Sequence, residues 1–454
     1  MRPYLRALGL LAVPSAILAQ GPIETRYKAI ADRIIDAAIG DTAAAWNTLA
    51  RFTDYTGPRL SGSAALERGI DWMLAEMRKD GLDGVRGEPV MVPRWVRGAE
   101  SATMTRPRVA NLPMLGLGGS VGTPKGGVTG DVMVVTSFEE LTARAAEARG
   151  KIVLFDVPFT TYGATVRYRS GGASAAAKVG AIAALVRSVT PYSMRTPHTG
   201  NMAYDSTVAR RIPAAAITVE DAMMISRMIK RGERVTVRLE MAAQKLPDSP
   251  SRNAIGELKG AGAPDELVVF GGHIDSWDVG VGAMDDGGGV VVAWEAVKLL
   301  KKLGLTPRRT IRVVGWTNEE NGGRGGQAYR DAHRAQADKH SLLIESDGGV
   351  FSPKGFGFTG SDSARKIMNQ IGALLGRIGA GTVGPTGGGA DIAPMMALGV
   401  PGVGLEVDGT RYFWFHHTEA DTMDKLDPAE MQRCVAVMAV LAYIVADLPE
   451  RLPR

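Results

Sequence analysis

The C-terminal half of the chain alternates short apolar, β-rich runs with helical segments, and this alternation constrains the fold most strongly. Apolar runs lie at residues 267–270, 310–316 and 341–344, and helices are predicted at 288–302 and 428–446. The pattern predicts an α/β fold in which a mostly parallel mixed sheet is sandwiched by helices. Ligands of such sheets bind beyond the carboxyl ends of the strands, so polar residues that follow the runs are candidate site residues.

The domain organisation is predicted from a change in residue composition and pattern between about residues 104 and 241. Short β-rich runs alternate there with Ala/Gly-rich helical segments, and none of these runs ends in a plausible metal ligand. A length of 454 residues also suggests two or three domains. We therefore predict a module at 109–243, inserted between two parts of the main domain at 20–108 and 244–454.

The first 19 residues have the pattern of a signal peptide. A basic start precedes an apolar stretch at 7–18, and a small residue precedes Gln20. A membrane anchor is the alternative, but the stretch is shorter than the ~20 residues of a spanning helix. No later segment is apolar for long enough to span a membrane, so we predict no stable membrane span. We expect export to the periplasm or secretion.

Charge and cysteine content narrow the classes of partner. The net charge of +5 is small for this length, and no run of Lys or Arg concentrates it, so we predict no nucleic-acid partner. Cys434 is the only cysteine, which excludes an intrachain disulfide. It lies beside an apolar stretch of a predicted helix and is expected to be a buried hydrophobic residue.

Two motifs follow the first apolar run of the C-terminal half. His273 and Asp275 form an H-x-D pair, in which the imidazole can bind a metal while the carboxylate accepts its other N–H. Asp285 and Asp286 precede three glycines, and a carboxylate at such a turn can bridge two cations. Taken singly, a structural turn or a solvated acidic turn explains each motif.

Further polar residues follow the later runs. Glu319 and Glu320 are adjacent, and neighbouring side chains on extended backbone point to opposite sides, so one can bind a metal while the other acts as general base. Asp347 follows the next run, and His416 and His417 lie in an aromatic loop. Two imidazoles with three carboxylates and no thiolate suit two zinc ions per chain.

These motifs resemble the five-part signature of the M28 zinc peptidases. The resemblance implies that His273, Asp285 and Glu320 hold one zinc and that Asp285, Asp347 and His417 hold the other. It further implies that Glu319 is the general base, that Asp275 orients His273, that the Asp285–Asp286 peptide is cis, and that Asp421 supports the His417 loop. The inserted module would be a protease-associated (PA) domain, and the chain would form a homodimer.

The resemblance implies hydrolysis of unblocked dipeptides or short peptides with a free N-terminus. The predicted substrate-binding residues are His198, Tyr412, His416 and Asp391, and the oxyanion donor is Tyr412, His416 or a backbone N–H of the glycine run 387–389. Three alternatives stay open: an aminopeptidase for longer peptides, a single-zinc acyltransferase similar to glutaminyl cyclase, and a binding ectodomain without catalysis.

Overall fold

The computed structural model describes residues 23–454, so the predicted signal peptide at 1–19 lies outside the described residues. The strands are β1 Asp83–Val96, β2 Glu100–Arg106, β3 Ala110–Leu112, β4 Met114–Gly116, β5 Val128–Val135, β6 Ile152–Phe155, β7 Ala183–Arg187, β8 Ala214–Ile217, β9 Thr236–Met241, β10 Gln244–Leu258, β11 Ala263–His273, β12 Arg309–Trp316, β13 His340–Glu345, β14 Pro353–Thr359, β15 Thr382–Gly384 and β16 Gly402–Val407. The helices are α1 Ile23–Gly40, α2 Ala44–Thr56, α3 Ala64–Lys79, α4 Phe138–Ala143, α5 Ala145–Ala148, α6 Tyr162–Lys178, α7 Val219–Lys230, α8 Gly288–Lys302, α9 Arg324–His333, α10 Asp362–Leu374, α11 Ala393–Met396, α12 Tyr412–Phe415 and α13 Pro428–Asp447.

The main sheet has the strand order β1-β10-β12-β11-β13-β16-β14-β15. Its centre, β12-β11-β13-β16, is parallel, and so is the pair β14-β15, whereas the pairs β1-β10, β10-β12 and β14-β16 are antiparallel. The α/β sheet is therefore mixed, with four parallel and three antiparallel strand pairs, so the predicted excess of parallel pairing is slight. The antiparallel strands β1 and β10 were not predicted, because their proline, glycine and charged residues hide the strand pattern.

Helices cover both faces of the main sheet, as predicted. Val268 and Phe270 of β11 pack in one cluster with α1, α2, α3, α8, α10 and α13, whereas Leu267 and Val269 pack in another with Tyr329 of α9. Successive side chains of a strand point to opposite faces, so a continuous apolar run supplies both layers. This burial fixes the register of the central strands and thereby the positions of the residues that follow them.

Helix α13 corrects the prediction that no segment after residue 19 is long and apolar enough to span a membrane. Its 20 residues have a mean hydropathy of 1.5 in the most apolar window, which satisfies that criterion by length and composition. In the structure 83% of the window is buried inside the protein, where α13 packs against α1, α2 and α8. A helix that is apolar on all sides is expected when other elements surround it.

The second sheet is formed between β1 and β10 and has the order β3-β2-β9-β5-β6-β7-β8-β4. It begins at Glu100, so the predicted boundary between 108 and 109 separates the paired strands β2 and β3 and lies too late in the chain. The polar alternation of β2 concealed this strand. The long antiparallel pair β1-β10 carries the chain out of the main sheet and back.

Candidate metal centre

The proposed metal ligands converge at the carboxyl ends of the parallel strands. His273 is the last residue of β11, Glu320 follows β12 by four residues, and Asp347 follows β13 by two. Asp285 lies in the turn before α8, and His417 follows α12 by two residues. These strands are neighbours in the sheet, so short polar segments from distant parts of the chain meet at one edge.

Two groups of ligand atoms share Asp285. His273 Nε2 lies 3.1 Å from Asp285 Oδ1 and 3.5 Å from Asp347 Oδ1. His417 Nε2 lies 3.3 Å from Asp285 Oδ2 and 3.0 Å from Glu320 Oε2. Each carboxylate oxygen of Asp285 thus faces a different imidazole, which is the arrangement of a bridging ligand.

This grouping corrects the one implied by the family resemblance. Asp347, rather than Glu320, accompanies His273, and Glu320, rather than Asp347, accompanies His417. Strands β11 and β13 are adjacent and parallel, which brings the residues beyond their ends together. The turn after β12 directs Glu320 toward His417 instead.

The geometry fits zinc. Two ligand atoms that each lie about 2.0–2.1 Å from a tetrahedral zinc are roughly 3.3 Å apart, and the four distances run from 3.0 to 3.5 Å. Asp285 Oδ2 and Glu320 Oε1 are buried and accept no hydrogen bond. Buried carboxylate oxygens without a donor are costly unless a cation binds them, so the residues present suit the predicted metal.

His416 also approaches the second group. Its Nε2 lies 3.5 Å from Asp285 Oδ2, and its ring stacks on that of His417 with centroids 3.5 Å apart. Burial lowers the pKa of His416 well below its usual value, and the neighbouring His417 lowers it further. His416 is therefore a neutral imidazole beside the two groups of ligand atoms. Both His416 and Glu320 lie next to the group that contains His417.

Asp275 acts on His273 through its backbone and not, as expected, through its carboxylate. His273 Nδ1 lies 2.9 Å from the Asp275 carbonyl oxygen but 3.8 Å from Oδ1. The carboxylate instead accepts hydrogen bonds from the Glu319 N–H at 3.1 Å and from the Ser61 hydroxyl at 3.1 Å. The Nδ1–H group of His273 is held by the Asp275 carbonyl oxygen, which leaves Nε2 free to bind metal. The Asp275 side chain positions Glu319 instead.

Asp286 and Asp421 fix the backbone around Asp285. Asp286 Oδ2 accepts the His273 N–H at 3.0 Å, and Asp421 accepts the N–H groups of Met284 and Asp285 at 2.7 and 3.1 Å. Asp421 therefore supports the Asp285 turn, although it was expected to support the His417 loop. The Asp285–Asp286 peptide is cis, as the resemblance implied.

Arg59, from the loop between α2 and α3, is a support that sequence reasoning missed. Its guanidinium is fully buried and donates to the carbonyl oxygens of Ile274, Val281 and Gly282, the last at 2.9 Å. Burial lowers the pKa of Arg59 to about 10, against the opposing charges of nearby carboxylates, so the group is still a cation at neutral pH. Its neighbours Gly57-Pro58 indicated only a turn.

Glu319 lies in a turn and not on extended backbone. Asn318 has φ +68°, a left-handed conformation that Asn tolerates better than most residues, and its amide donates to the Ser61 hydroxyl at 3.0 Å. Both Glu319 and Glu320 nevertheless line the same cavity of about 320 Å³. Burial, reinforced by the charge of Asp347, raises the pKa of Glu319 well above its usual value despite the opposing charge of His273.

The inserted module forms part of this cavity. Tyr162 and Arg169 of α6 line it together with Tyr412, Phe413 and His416 from the main domain. Tyr412 and His416, two of the predicted substrate-binding residues, therefore line the cavity. The sequence contained no signal for Tyr162 or Arg169, since nothing in an Ala/Gly-rich helix indicates which domain it faces.

Two of the predicted substrate-binding residues lie elsewhere. His198 is buried behind the cavity with its Nδ1 2.8 Å from the His416 carbonyl oxygen, and burial lowers its pKa to about 3, so it supplies no positive charge. Asp391 is buried outside the cavity lining, and its backbone N–H donates to Glu345 at 3.0 Å. Burial raises the pKa of Asp391 well above its usual value, and the charge of Glu345 raises it further.

Comparison with known proteins gives a consistent result. The sequence model described as peptidase family M28 matches residues 253–442. Carboxypeptidase Q of Bos taurus is 48% identical over 98% of this chain and 96% of its own, and that of Homo sapiens is 48% identical over 94% and 90%. The crystal structure of a peptidase M28 precursor from Shewanella amazonensis has a TM-score of 0.91 at 35% identity, over 95% of this chain and 99% of its own. A zinc aminopeptidase from Bacillus subtilis shares the fold, with a TM-score of 0.65 at 21% identity, over 87% of this chain and 93% of its own.

Proposed function

The chain belongs to peptidase family M28, and on that premise we propose that it is a two-zinc exopeptidase for unblocked dipeptides or short peptides with a free N-terminus. The observation that carries the proposal is the pair of ligand groups that share Asp285 beside Glu319 in one cavity. Similarity to carboxypeptidase Q and to zinc aminopeptidases supports an exopeptidase that binds zinc.

The chain's own residues divide into two sets of zinc ligands. His273, Asp285 and Asp347 would hold one ion, and Asp285, Glu320 and His417 the other. When bound, zinc polarises a peptide carbonyl and can lower the pKa of water from ~15.7 to about 7. Glu320 is preferred to His416 as a ligand because its Oε2 is 3.0 Å from His417 Nε2 and its Oε1 has no donor.

Glu319 is the proposed general base. Burial raises the pKa of Glu319, which makes its carboxylate a stronger base for the proton of the attacking water, and the carboxyl group so formed can deliver that proton to the leaving amine. The backbone N–H of Glu319 is held by Asp275, which is in turn held by Ser61. This chain of contacts orients the base without occupying its carboxylate.

Tyr412 is the proposed donor to the oxyanion. It lines the cavity, and burial raises its pKa well above the usual value, as do the charges of Asp285 and Asp347. The phenol therefore keeps its proton at neutral pH and can donate a hydrogen bond to negative charge that develops on the substrate. The sequence had left the oxyanion donor open between Tyr412, His416 and a backbone N–H of the glycine run 387–389, and we propose Tyr412.

The size and cover of the cavity favour short substrates. A volume of about 320 Å³ lies near the lower end of the roughly 300–1,000 Å³ range of small-ligand pockets. The inserted module, which we propose is a PA-like domain, forms one wall through Tyr162 and Arg169. A general aminopeptidase should instead cleave a tetrapeptide as fast as a dipeptide, and comparing kcat/KM for the two lengths separates these readings. Export and homodimer formation remain predictions.

The decisive experiment compares the zinc-loaded protein with Glu319→Gln on a library of unblocked dipeptides. The variant should bind as much zinc as the wild type but lose kcat by a factor of roughly 100 or more, since proton transfer by a positioned base contributes about 10²–10⁴. Glu419→Gln, an exposed change two residues beyond His417, is the matched control and should be fully active. Full activity of Glu319→Gln would refute the assignment of the base.

Zinc content separates the proposal from the acyltransferase alternative. Metal analysis of the active protein should give two zinc ions per chain, and peptide hydrolysis should scale with occupancy. One zinc per chain, with cyclisation of N-terminal glutamine and no hydrolysis, would favour the single-zinc enzyme instead.

A further inference from the structure

We propose that Arg169 of the inserted module, together with the Tyr162 hydroxyl, binds the free C-terminal carboxylate of the substrate. The inference rests on the proposed exopeptidase function and adds the residues that would select unblocked dipeptides. It places the carboxylate subsite on the module that carries none of the proposed metal ligands.

The argument starts from an unpaired buried cation. Arg169 is 5% exposed, and no Asp or Glu in the described range 23–454 forms an ion pair with it. Its Nη1 donates to the Thr199 carbonyl oxygen at 3.3 Å, its Nη2 donates to the Tyr162 hydroxyl at 2.8 Å, and its buried Nε has no acceptor. A buried charge is costly without a counter-ion, so an anionic ligand would complete this site.

The guanidinium is held close to the metal groups. Arg169 Nη1 lies 3.5 Å from His417 Nδ1, on the opposite side of the imidazole from the nitrogen that faces Asp285 and Glu320. One extended residue spans about 3.3–3.6 Å. A dipeptide has a single residue between its scissile bond and its terminal carboxylate, so its carboxylate must bind close to the metal groups, and Arg169 is separated from them by one imidazole ring.

The local packing holds the two side chains in place. Tyr162 and Arg169 are seven residues apart on α6 and therefore share one face of the helix. The Tyr162 ring stacks on Phe413 with centroids 4.9 Å apart, and its hydroxyl, which accepts from Arg169, keeps its own proton for another acceptor. At Gly200 a Cβ would approach the guanidinium carbon to 2.3 Å, so a glycine is needed there for Arg169 to fit.

Arg169 supplies the positive charge of the cavity lining. Of the described residues that line it, Arg169 is the only Lys or Arg, whereas Asp285, Glu319, Glu320 and Asp347 are the proposed zinc ligands and general base. An unblocked dipeptide carries an amino group at one end and a carboxylate at the other. The carboxylate would face Arg169 and Tyr162, and the amino end would lie toward the metal side.

The test is a cycle of two substrates and two enzymes. Wild type and Arg169→Met are compared on an unblocked dipeptide and on the same dipeptide with a C-terminal amide. Removing the carboxylate or the guanidinium should each lower kcat/KM roughly 10- to 100-fold, as expected for a hydrogen bond to a charged group, and removing both should cost little more than removing one. Arg167→Met, an exposed change on the same helix, is the matched control.

The outcomes separate this inference from the proposed function. A loss confined to the free dipeptide, with amide hydrolysis and zinc content unchanged, supports the subsite. Equal losses on both substrates would show that Arg169 only supports His417. Equal rates of the wild type on the free dipeptide and on its amide would also overturn the inference. Neither result would contradict the proposed exopeptidase function. Hydrolysis of neither substrate by wild type would refute the proposed function itself. Tyr162→Phe, which removes a single hydroxyl, should lower the rate on the free dipeptide alone, and an equal effect on both substrates would count against the subsite.

Discussion

Replacing Arg59 with methionine tests whether the metal turn depends on a buried cation. The guanidinium donates to the carbonyl oxygens of Ile274, Val281 and Gly282, and all three belong to the segment between His273 and Asp285. Methionine fills much of the same volume but donates no hydrogen bond. The change therefore removes the donors while it keeps most of the packing.

The expected loss of stability is the difference between two terms. The carbonyl groups of Ile274 and Val281 would lose their donor at a cost of about 2 kcal/mol each, whereas Gly282, which also accepts the Gly287 N–H at 3.0 Å, would lose one of two hydrogen bonds at about 1 kcal/mol, or about 5 kcal/mol together. Burial lowers the pKa of Arg59 from 12.5 to about 10, which corresponds to about 3 kcal/mol of unfavourable charge burial that the variant avoids. We expect a net destabilisation of about 2 kcal/mol, a substantial part of the roughly 5–15 kcal/mol that stabilises a typical domain.

Urea unfolding of the zinc-free protein measures this loss, and competition with a chelator measures the accompanying change in zinc affinity. The midpoint should fall without a change in the m-value, and zinc should bind more weakly because the His273–Asp285 segment is less ordered. Arg68→Met, an exposed change on α3, is the matched control and should behave as wild type. An Arg59→Met protein as stable as wild type, with unaltered zinc affinity, would refute the reasoning.

Two further predictions concern metal stoichiometry and pH. Glu320→Gln should bind one zinc per chain while His416→Asn keeps two, as judged by metal analysis; the reverse result would make His416 the ligand. His340 is buried, with Nδ1 2.9 Å from the Gln336 carbonyl oxygen and Nε2 3.1 Å from the Tyr329 hydroxyl, and burial lowers its pKa to about 4. As pH falls, the imidazole of residue 340 therefore binds its proton in the unfolded chain before it does so in the folded protein. The free energy of unfolding should be unaffected above pH 6.5 and should fall by about 3 kcal/mol between pH 6.5 and about 4. Urea midpoints at pH 7.5 and 4.5 should show this loss in wild type and a smaller one in His340→Gln, and equal losses would contradict it.

Local sequence predicted the central strands and the residues at their ends. Apolar runs such as 267–270 are buried on both faces, so their length and their flanking polar residues mark where a strand of the main sheet ends. The same rule failed for β1 and β10. Their partners are each other and β12, and much of β1 and the first part of β10 are exposed, so no apolar pattern is required of them.

The grouping of the ligands could not be predicted from spacing along the chain. His273 lies at the end of β11, which is flanked by β12 on one side and by β13 on the other. Glu320 and Asp347 are therefore both near neighbours of His273, and only the direction of each turn decides which carboxylate approaches it. That direction depends on Asn318 at φ +68°, whose conformation is stabilised by contact with Ser61 from a distant loop.

The histidines show why composition alone cannot separate ligands from supports. The inserted module holds the loop that carries His417. The Thr199 N–H donates to the His417 carbonyl oxygen at 3.0 Å, and His198 Nδ1 lies 2.8 Å from the His416 carbonyl oxygen. His198 and His417 are both buried, yet only His417 faces carboxylates, with Nε2 3.0 Å from Glu320 Oε2 and 3.3 Å from Asp285 Oδ2. The difference lies in the acidic neighbours that folding supplies and not in the flanking sequence. Because the same module also provides Arg169, the proposed metal ligand His417 and the proposed carboxylate subsite are positioned by one set of contacts between the module and the loop after α12.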